Sequence, residues 1–344
     1  MKSILMLLTK DVRTDPRVSR EAGKLMDAGY GVEVMCQDRL PNEHLPQTIL
    51  SRMALWFDAL WYAKDKKHLA VHAHDLDTLP IGILIAKLKR IPCVYDAHES
   101  FPDMLVGTVP YALTRLLARI ERRLTKHVDH IVLANEKIGP LVSDEPSKWV
   151  VVMNCPGVIE VNQGSKSQKA YTLGYFGAFE SGRFLQGLID TIRQMPNWDL
   201  MLAGSGKLNV NGSECKNIMY LGKLKPGQVG DMMARCDLLS VIFEEGNPND
   251  YIGTPNRLFE AMALGIPVVA NWHTYSGEIV TKTNCGFTIS PGVSELKTLL
   301  EYLERNPQQL WAKGENGSAA WEKEYNSSVQ GAKLVALYDS IRGN

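Results

Sequence analysis

Short apolar runs with no polar alternation, each followed by a turn and a segment of helical period, recur along this chain. Residues 3–8, 31–36, 130–134, 149–153, 171–177, 198–203, 218–221, 237–243 and 266–270 all read this way, and 71–75 and 94–99 close two more. A strand that is apolar on both faces must be covered on both, so each run predicts a buried parallel strand with helices above and below the sheet. The fold class is therefore α/β, built from βα units. At 344 residues the chain has room for about two such domains, each with its own core. Residues 161–169, VNQGSKSQK, are polar and contain glycine and serine, which marks them as the linker. The expected division is 1–160, the linker, 170–320, and a last helical stretch from 321 to 344.

The stretch 251–271, YIGTPNRLFEAMALGIPVVAN, carries the most chemistry. It reads as a Gly253-Thr254-Pro255 turn, a short helix and a strand. Thr254 suits an N-cap and Pro255 the first helical position, while Gly265 suits the left-handed residue that ends the helix. A helix start offers free N–H groups and a positive dipole end, which favour a phosphate. Arg257 falls in the first turn, where a guanidinium can pair with phosphate oxygens. Asn256, Arg257 and Glu260 share a face at spacings of three and four. A carboxylate there suits sugar hydroxyls better than the anion itself. A second glycine-and-cation turn lies at Gly177 and Arg183, again at a predicted strand-to-helix junction, as a diphosphate requires. The plainer reading of both is an ordinary loop–helix connection with solvated charges.

In the first half, Asp15 can cap a helix with Pro16 at its first position and Val18, Ala22, Leu25 and Met26 facing inward. Asp11, Arg13, Asp15 and Arg17 then sit at the carboxyl end of the first strand, where open α/β sheets bind ligands. Residues 49–67 read as an amphipathic helix whose aromatics, Trp56, Phe57, Trp61 and Tyr62, are expected to pack into the core; an exposed apolar face there could instead serve a membrane or a partner. Two histidine clusters follow, His72-Ala73-His74-Asp75 and Asp96-Ala97-His98-Glu99, with a helix over 79–89 between them. Adjacent parallel strands bring both to one sheet edge. His72, His74, Asp75, Asp96, His98 and Glu99 are the residue types that hold zinc or manganese. A metal-dependent hydrolase is therefore an alternative, although no further ligand pair appears downstream. Residues 111–127 predict a helix with Leu113, Leu116, Leu117, Ile120 and Leu124 on one side and five basic residues elsewhere. Such a helix can lie on an anionic membrane, or it can be an ordinary surface helix.

Lys+Arg and Asp+Glu are both 38, so no overall field draws nucleic acid. The six cysteines are widely spaced, several in apolar runs, and read as reduced buried thiols. No run approaches the ~20 apolar residues of a membrane span, and the apolar start is cut short at Thr9-Lys10-Asp11. A cytoplasmic location is expected, and a place at the inner face of a membrane is compatible with it.

The 255–271 sequence PNRLFEAMALGIPVVAN resembles the donor-binding signature of glycosyltransferase family 4, whose members are retaining enzymes of the two-domain GT-B fold. The resemblance extends over most of the chain. It implies two Rossmann-like domains facing a central cleft, with a last helix that crosses back to the first domain. It implies transfer of a sugar from a nucleotide-diphosphate donor, a UDP- or GDP-sugar, to an acceptor hydroxyl, in glycan, glycolipid or surface polysaccharide synthesis. By residue match, Glu260 binds the ribose, His98 lies beside the donor sugar, and Arg183 and Arg257 hold the diphosphate. Gly177, Gly253, Thr254, Pro255, Asn256 and Leu221 line the donor, Leu221 against the base. Asp11, Arg13, Asp15, Arg17 and His74 fall on the acceptor side. No cofactor and no metal are expected, since GT-B enzymes generally need none. Two positions depart from the pattern. Ile252 stands where many members have a sugar-contacting Glu, leaving Glu244, Glu245 or Asp250 as substitutes. Ala178 stands where the pattern has an Arg, a loss that Arg257 would offset. The departures keep two readings open, an epimerase or hydrolase of the same shape and a non-catalytic binding protein.

Overall fold

The computed structural model describes residues 3–36, 49–161, 170–206, 216–244 and 246–343. These form two compact units, Met1–Asn154 with Ser327–Asn344, and Cys155–Asn326. Most of the 161–169 stretch lies outside the described residues.

The first unit is a six-stranded parallel sheet of β1 (Ser3–Leu7), β2 (Gly31–Met35), β3 (His68–His74), β4 (Cys93–Ala97), β5 (His130–Leu133) and β6 (Trp149–Val151), in the order β2-β1-β3-β4-β5-β6. Helices α1 (Pro16–Asp27), α2 (Ile49–Lys64), α3 (Asp75–Lys89) and α4 (Tyr111–Leu124) supply most of the cover. The start of α1 follows from its sequence: Asp15 Oδ1 accepts from the N–H groups of Arg17 and Val18, and Pro16 needs no partner there. Val18, Ala22 and Leu25 are buried, but Met26 is 55% exposed, because it lies past the edge of the inward stripe.

Helix α3 begins at Asp75, directly off β3, four residues earlier than the sequence pattern indicates. Asp75 adopts φ 62°, a left-handed conformation that aspartate tolerates better than most residues, and this turns the strand into the helix without a loop. Thr78 Oγ1 donates to the His74 carbonyl at 2.6 Å, occupying a group the sharp turn frees.

The second unit has β7 (Tyr171–Phe176), β8 (Trp198–Ala203), β9 (Ile218–Gly222), β10 (Leu238–Val241), β11 (Val268–Asn271) and β12 (Gly286–Ile289), all parallel, in the order β12-β11-β10-β7-β8-β9. Helices α5 (Leu185–Ile192) and α6 (Asn256–Ala263) frame its site. The core is aromatic and aliphatic, with Trp198, Leu188, Ile192, Leu200 and Leu300 fully buried.

The helical region after residue 308 is broken. Gln308–Lys323 packs on α6, and a separate C-terminal helix, Ser327–Gly343, packs on α1. Asn326 makes the break by donating to the Trp321 and Glu322 carbonyls, which terminates the earlier helix. Leu334, Leu337, Tyr338 and Ile341 of the C-terminal helix then join the core of the first unit.

In each sheet the strand order reverses once, between β1 and β3 in the first unit and between β7 and β10 in the second. Connections leave such a point in opposite directions and open a crevice at the carboxyl ends of the strands, which is where open α/β sheets take ligands.

Candidate active site

At the switch point of the second unit, β7 runs into Gly177 and β10 into Phe243, and the first turn of α6 brings Arg257 between them. The Arg257 side chain is buried. Its Nη1 donates to the Phe176 carbonyl at 3.3 Å, and the guanidinium lies over the Tyr175 ring at 4.6 Å and near Phe243 at 5.5 Å. Its Nε and Nη2 have no hydrogen-bond partner among the described residues. Burial pulls the Arg257 pKa down, but a guanidinium keeps its charge. A buried cation with two unmet donors is costly unless an anion completes it. Gly177 makes the space: a Cβ there would stand 2.6 Å from Arg257 Nη1.

Arg183 reaches the same place from the loop before α5. Its guanidinium lies 4.9 Å from the Phe243 ring and Nη1 donates to Asp250 at 2.9 Å. Two guanidinium groups thus flank one ring, each raising the cost of the other's charge, an arrangement that a diphosphate would relieve. Of the substitutes for the position at Ile252, Asp250 is therefore already paired with Arg183. Glu244 is exposed, and Glu245 lies outside the described residues.

The start of α6 differs from the sequence expectation. The helix begins at Asn256 with Pro255 as its N-cap residue, and Thr254 makes no capping bond. The chain ahead is already committed to the short helix Pro248–Ile252, so the turn is displaced by one residue. Gly253 closes that helix, its N–H donating to the Asn249 carbonyl at 2.7 Å and its own carbonyl accepting from Ser276 Oγ at 3.0 Å. A Cβ on Gly253 would stand 2.7 Å from the Asn249 oxygen, so the approach requires glycine. Asn256 is exposed and Glu260 half-buried on the same helix. Gly204 packs so closely under Gly177 that any Cβ would strike the Gly177 carbonyl. The loops after β7 and β8 are thereby locked together. Leu221 is half-buried in β9, beside Tyr220, whose exposed ring stands 5.7 Å from Phe179.

The first unit gathers its polar groups at the β1/β3 switch point and on the neighbouring β4. Arg17 donates to Asp96 Oδ1 at 2.6 Å and to Glu21 Oε1 at 3.0 Å. His72 Nδ1 pairs with the Tyr338 hydroxyl at 2.8 Å. His98 Nε2 stands 3.2 Å from His74 Nδ1 and 3.3 Å from Asp96 Oδ2, and its Nδ1 is 3.7 Å from Asp75. Burial opposes a charge on His98, but Asp75 and Asp96 outweigh it, and its imidazole is pushed up to about 9. His74 goes the other way: burial and the neighbouring His72 push it down to about 3. His98 is thus the charged imidazole of the edge, and its side chain keeps 14% exposure.

Two residues expected on the acceptor side, Arg17 and His74, are instead buried beneath that edge. The His-x-His spacing does place both imidazoles on one face of β3, but that face is covered by α1 and the C-terminal helix, not open. Asp15 is spent on the α1 cap, and Asp11 holds both the Arg13 N–H and its guanidinium. Glu21 and Tyr338 belong to the cluster without having been singled out. Glu21 was legible at four residues from Arg17; Tyr338 arrives from 266 residues away along the chain and left no local signal.

The outward face of α2 departs from the core packing expected of its aromatics, and α4 turns apolar residues outward. On α2, Leu55, Ala59 and Ala63 are buried, whereas Met53, Phe57 and Trp61 are exposed as a stripe at four-residue spacing. Trp56 and Tyr62 reach Asp77 and Glu33 instead of the core. On α4, Thr114 and Glu121 are the buried residues, Glu121 bonded to the Tyr95 hydroxyl, while Leu113, Leu116 and Ile120 face outward among arginines.

The model of a glycosyl transferase 4-like domain matches residues 8–148, and that of the glycosyl transferases group 1 matches residues 170–305. The chain belongs to the group 1 glycosyl transferases. Each matched span falls within one of the two units, and the group 1 span contains Gly177, Arg183, Arg257 and Glu260. As a member of this family, the chain is a glycosyltransferase. The alpha-monoglucosyldiacylglycerol synthase of Acholeplasma laidlawii is 21% identical, over 87% of this chain and 83% of that one. Among solved structures, sucrose-phosphate synthase from Thermosynechococcus elongatus superposes with a TM-score of 0.82 at 12% identity, covering 100% of both chains. Anabaena HepE in complex with UDP-glucose superposes at 0.74 and 16% identity, over 99% of this chain and 100% of that one. The fold of the group 1 chain is GT-B, two Rossmann-like domains.

Proposed function

We propose that the chain moves a sugar from a nucleoside-diphosphate sugar to an acceptor hydroxyl with retention of anomeric configuration. The observation that carries this reading is the buried Arg257, with two unmet N–H donors beside Arg183 at a sheet switch point. Such a site supplies positive charge to a departing diphosphate, and Asp250, a carboxylate beside it among the described residues, is taken up by Arg183. The bond from the anomeric carbon to the phosphate oxygen breaks as the acceptor oxygen attacks from the same face, and the acceptor proton passes to the leaving phosphate. Glu260 takes the ribose and Leu221 the base, as the family pattern assigns them. His98 is assigned to the transferred sugar by its match to the family's strand-end histidine, and its protonated imidazole suits a sugar oxygen. The diphosphate needs no metal in this scheme. HepE is solved in complex with UDP-glucose, which makes a UDP-sugar the first candidate here.

A thermal-shift screen against UDP, GDP, ADP, CMP and their sugars tests the donor site, since a ligand of the folded state raises the melting temperature by mass action. A rise with one diphosphate, unchanged by EDTA, is expected. No rise with any nucleotide would sink the assignment. Donor turnover with no acceptor present would turn it into an epimerase or hydrolase.

The acceptor is proposed to be lipid-borne. Leu113, Leu116 and Ile120 emerge on α4 among Arg115, Arg119 and Arg123, and Phe57 and Trp61 emerge on α2. Apolar and aromatic groups between cations suit the headgroup region of an anionic bilayer. The Acholeplasma relative is named for a diacylglycerol lipid. No helix among the described residues is long and apolar enough to cross a membrane, so contact would be peripheral. Wild-type protein is expected to sediment with phosphatidylglycerol vesicles and not with phosphatidylcholine vesicles, and Leu116→Glu with Ile120→Glu to abolish it. Equal sedimentation of the double variant would remove α4 from the contact.

A further inference from the structure

We propose that Glu21, His72, His74 and Asp96 form a closed site for one divalent transition-metal ion, zinc by its donor set. The inference goes beyond the transferase reading and does not depend on it. Four observations converge. All four residues are buried, and each offers a ligand atom within 4.8 Å of the others. Each also has one atom without a hydrogen bond: Glu21 Oε2, His72 Nε2, His74 Nε2 and Asp96 Oδ2. Four such orphans in one place are uncommon, because buried polar atoms are nearly always satisfied.

The remaining atoms of the same four side chains are held from behind. His72 Nδ1 is engaged by the Tyr338 hydroxyl, and His74 Nδ1 faces Asp96 Oδ2 at 3.3 Å beside the His98 ring. Glu21 Oε1 and Asp96 Oδ1 both receive N–H groups of Arg17. Each candidate ligand is thus oriented by an outer partner, which is how proteins fix metal-binding imidazoles and carboxylates; Asp96 Oδ2 also lies 3.3 Å from His74 Nδ1 and from His98 Nε2, contacts that a coordinated carboxylate oxygen can keep as an acceptor. With hydrogen on Nδ1, facing the Tyr338 oxygen on His72 and Asp96 Oδ2 at 3.3 Å on His74, both imidazoles turn a lone pair inward from Nε2. Their rings lie parallel at 4.4 Å between centroids, as two ligands from alternate positions of one strand would.

The separation also fits. His72 Nε2 and Asp96 Oδ2 stand 3.5 Å apart, long for a hydrogen bond. Two ligands of a four-coordinate zinc, each at about 2 Å from the ion, stand about 3.3 Å apart. Two imidazole nitrogens with two carboxylate oxygens suit zinc, whereas calcium and magnesium prefer oxygen alone. Four protein ligands in a buried place leave no open position, so the ion would be structural. It would tie β3 and β4 to α1 directly and to the C-terminal helix through Tyr338.

The test uses the full chain, stripped with a chelator, desalted, exposed to zinc chloride and desalted again. Elemental analysis is expected to find about one zinc per chain, with a higher melting temperature than the stripped protein. Cobalt(II) in place of zinc should give the visible absorption of a four-coordinate site. His72→Ala should retain no zinc. Because that variant risks failing to fold, Tyr338→Phe serves beside it: all ligands remain, and zinc affinity should fall about 10–100-fold with the circular dichroism spectrum unchanged. Wild-type protein that retains no zinc and shows no cobalt band overturns the proposal and leaves water or a proton in the gap. Zinc retained equally by wild type and both variants overturns it as well, since the ion then sits elsewhere. UDP binding by the stripped protein reports on the donor site separately.

Discussion

Arg257→Ala is expected to lower kcat/KM for sugar transfer by about 10²–10³-fold, the usual cost of removing one preorganised donor from a site of developing negative charge. The loss should fall on turnover and on diphosphate affinity together, because in the proposed role the group would face the anion before and after bond cleavage. Stability should change little or improve. Among the described residues the guanidinium hydrogen-bonds the Phe176 carbonyl through Nη1, and its Nε and Nη2 are unmet there. Its nearest charged neighbour of like sign, Arg183, is relieved when it goes. Steady-state kinetics beside a thermal melt separates the two effects. Near-normal turnover would take Arg257 out of the site, and a large fall in melting temperature would recast it as a structural residue. Arg257→Lys should rescue poorly, since a point charge cannot span two oxygens as the planar fork does.

Asp96→Ala is expected to destabilise the first unit by about 3–5 kcal/mol, the range for stranding one partner of a buried ion pair. Asp96 is fully buried, and Arg17 in front of it holds its carboxyl well below the usual carboxylate range despite the cost of burial. Without it, Arg17 keeps only Glu21, whose own carboxyl is raised by burial and by Asp96. Urea unfolding in the presence of EDTA reads the loss free of any bound ion. A change below about 1 kcal/mol would mean that Arg17 and Glu21 suffice as a pair. His98 loses one of its two acidic neighbours in the same variant, so transfer should slow even in molecules that remain folded.

Much of this was legible in the sequence, for reasons that differ by element. Apolar runs announced nine of the twelve strands, because a strand covered on both faces cannot hide its composition, and the two histidine clusters marked the ends of β3 and β4. β12 escaped: Gly286–Ile289 is short and only half-buried, and its sole cue is Asn284, whose left-handed φ of 56° ends the preceding helix. The phosphate-type turns at Gly177 and Gly253 were readable because glycine leaves a mark wherever the backbone must pass close to another group. What surrounds Arg257 was not readable. Tyr175 and Phe243 look like ordinary strand residues, and only the pairing of β7 with β10 brings their rings together. The direction of the exposed faces was the other loss. The periods of α2 and α4 give a stripe but not its orientation, and on α4 the core takes Thr114 and Glu121 in preference to three leucine and isoleucine side chains.

The C-terminal helix carries a consequence for how the molecule comes into being. Leu334, Leu337, Tyr338 and Ile341 complete a core whose other members lie between Ile4 and Val152. A chain emerging from the ribosome therefore cannot finish its first unit first, contrary to the usual N-to-C order of domain folding. The second unit, contiguous from Cys155 to Asn326, is complete while α1 still presents Leu25 and Ala22 to solvent. During that interval the nascent first unit lacks one wall of its core, and that wall arrives only with Ser327–Gly343.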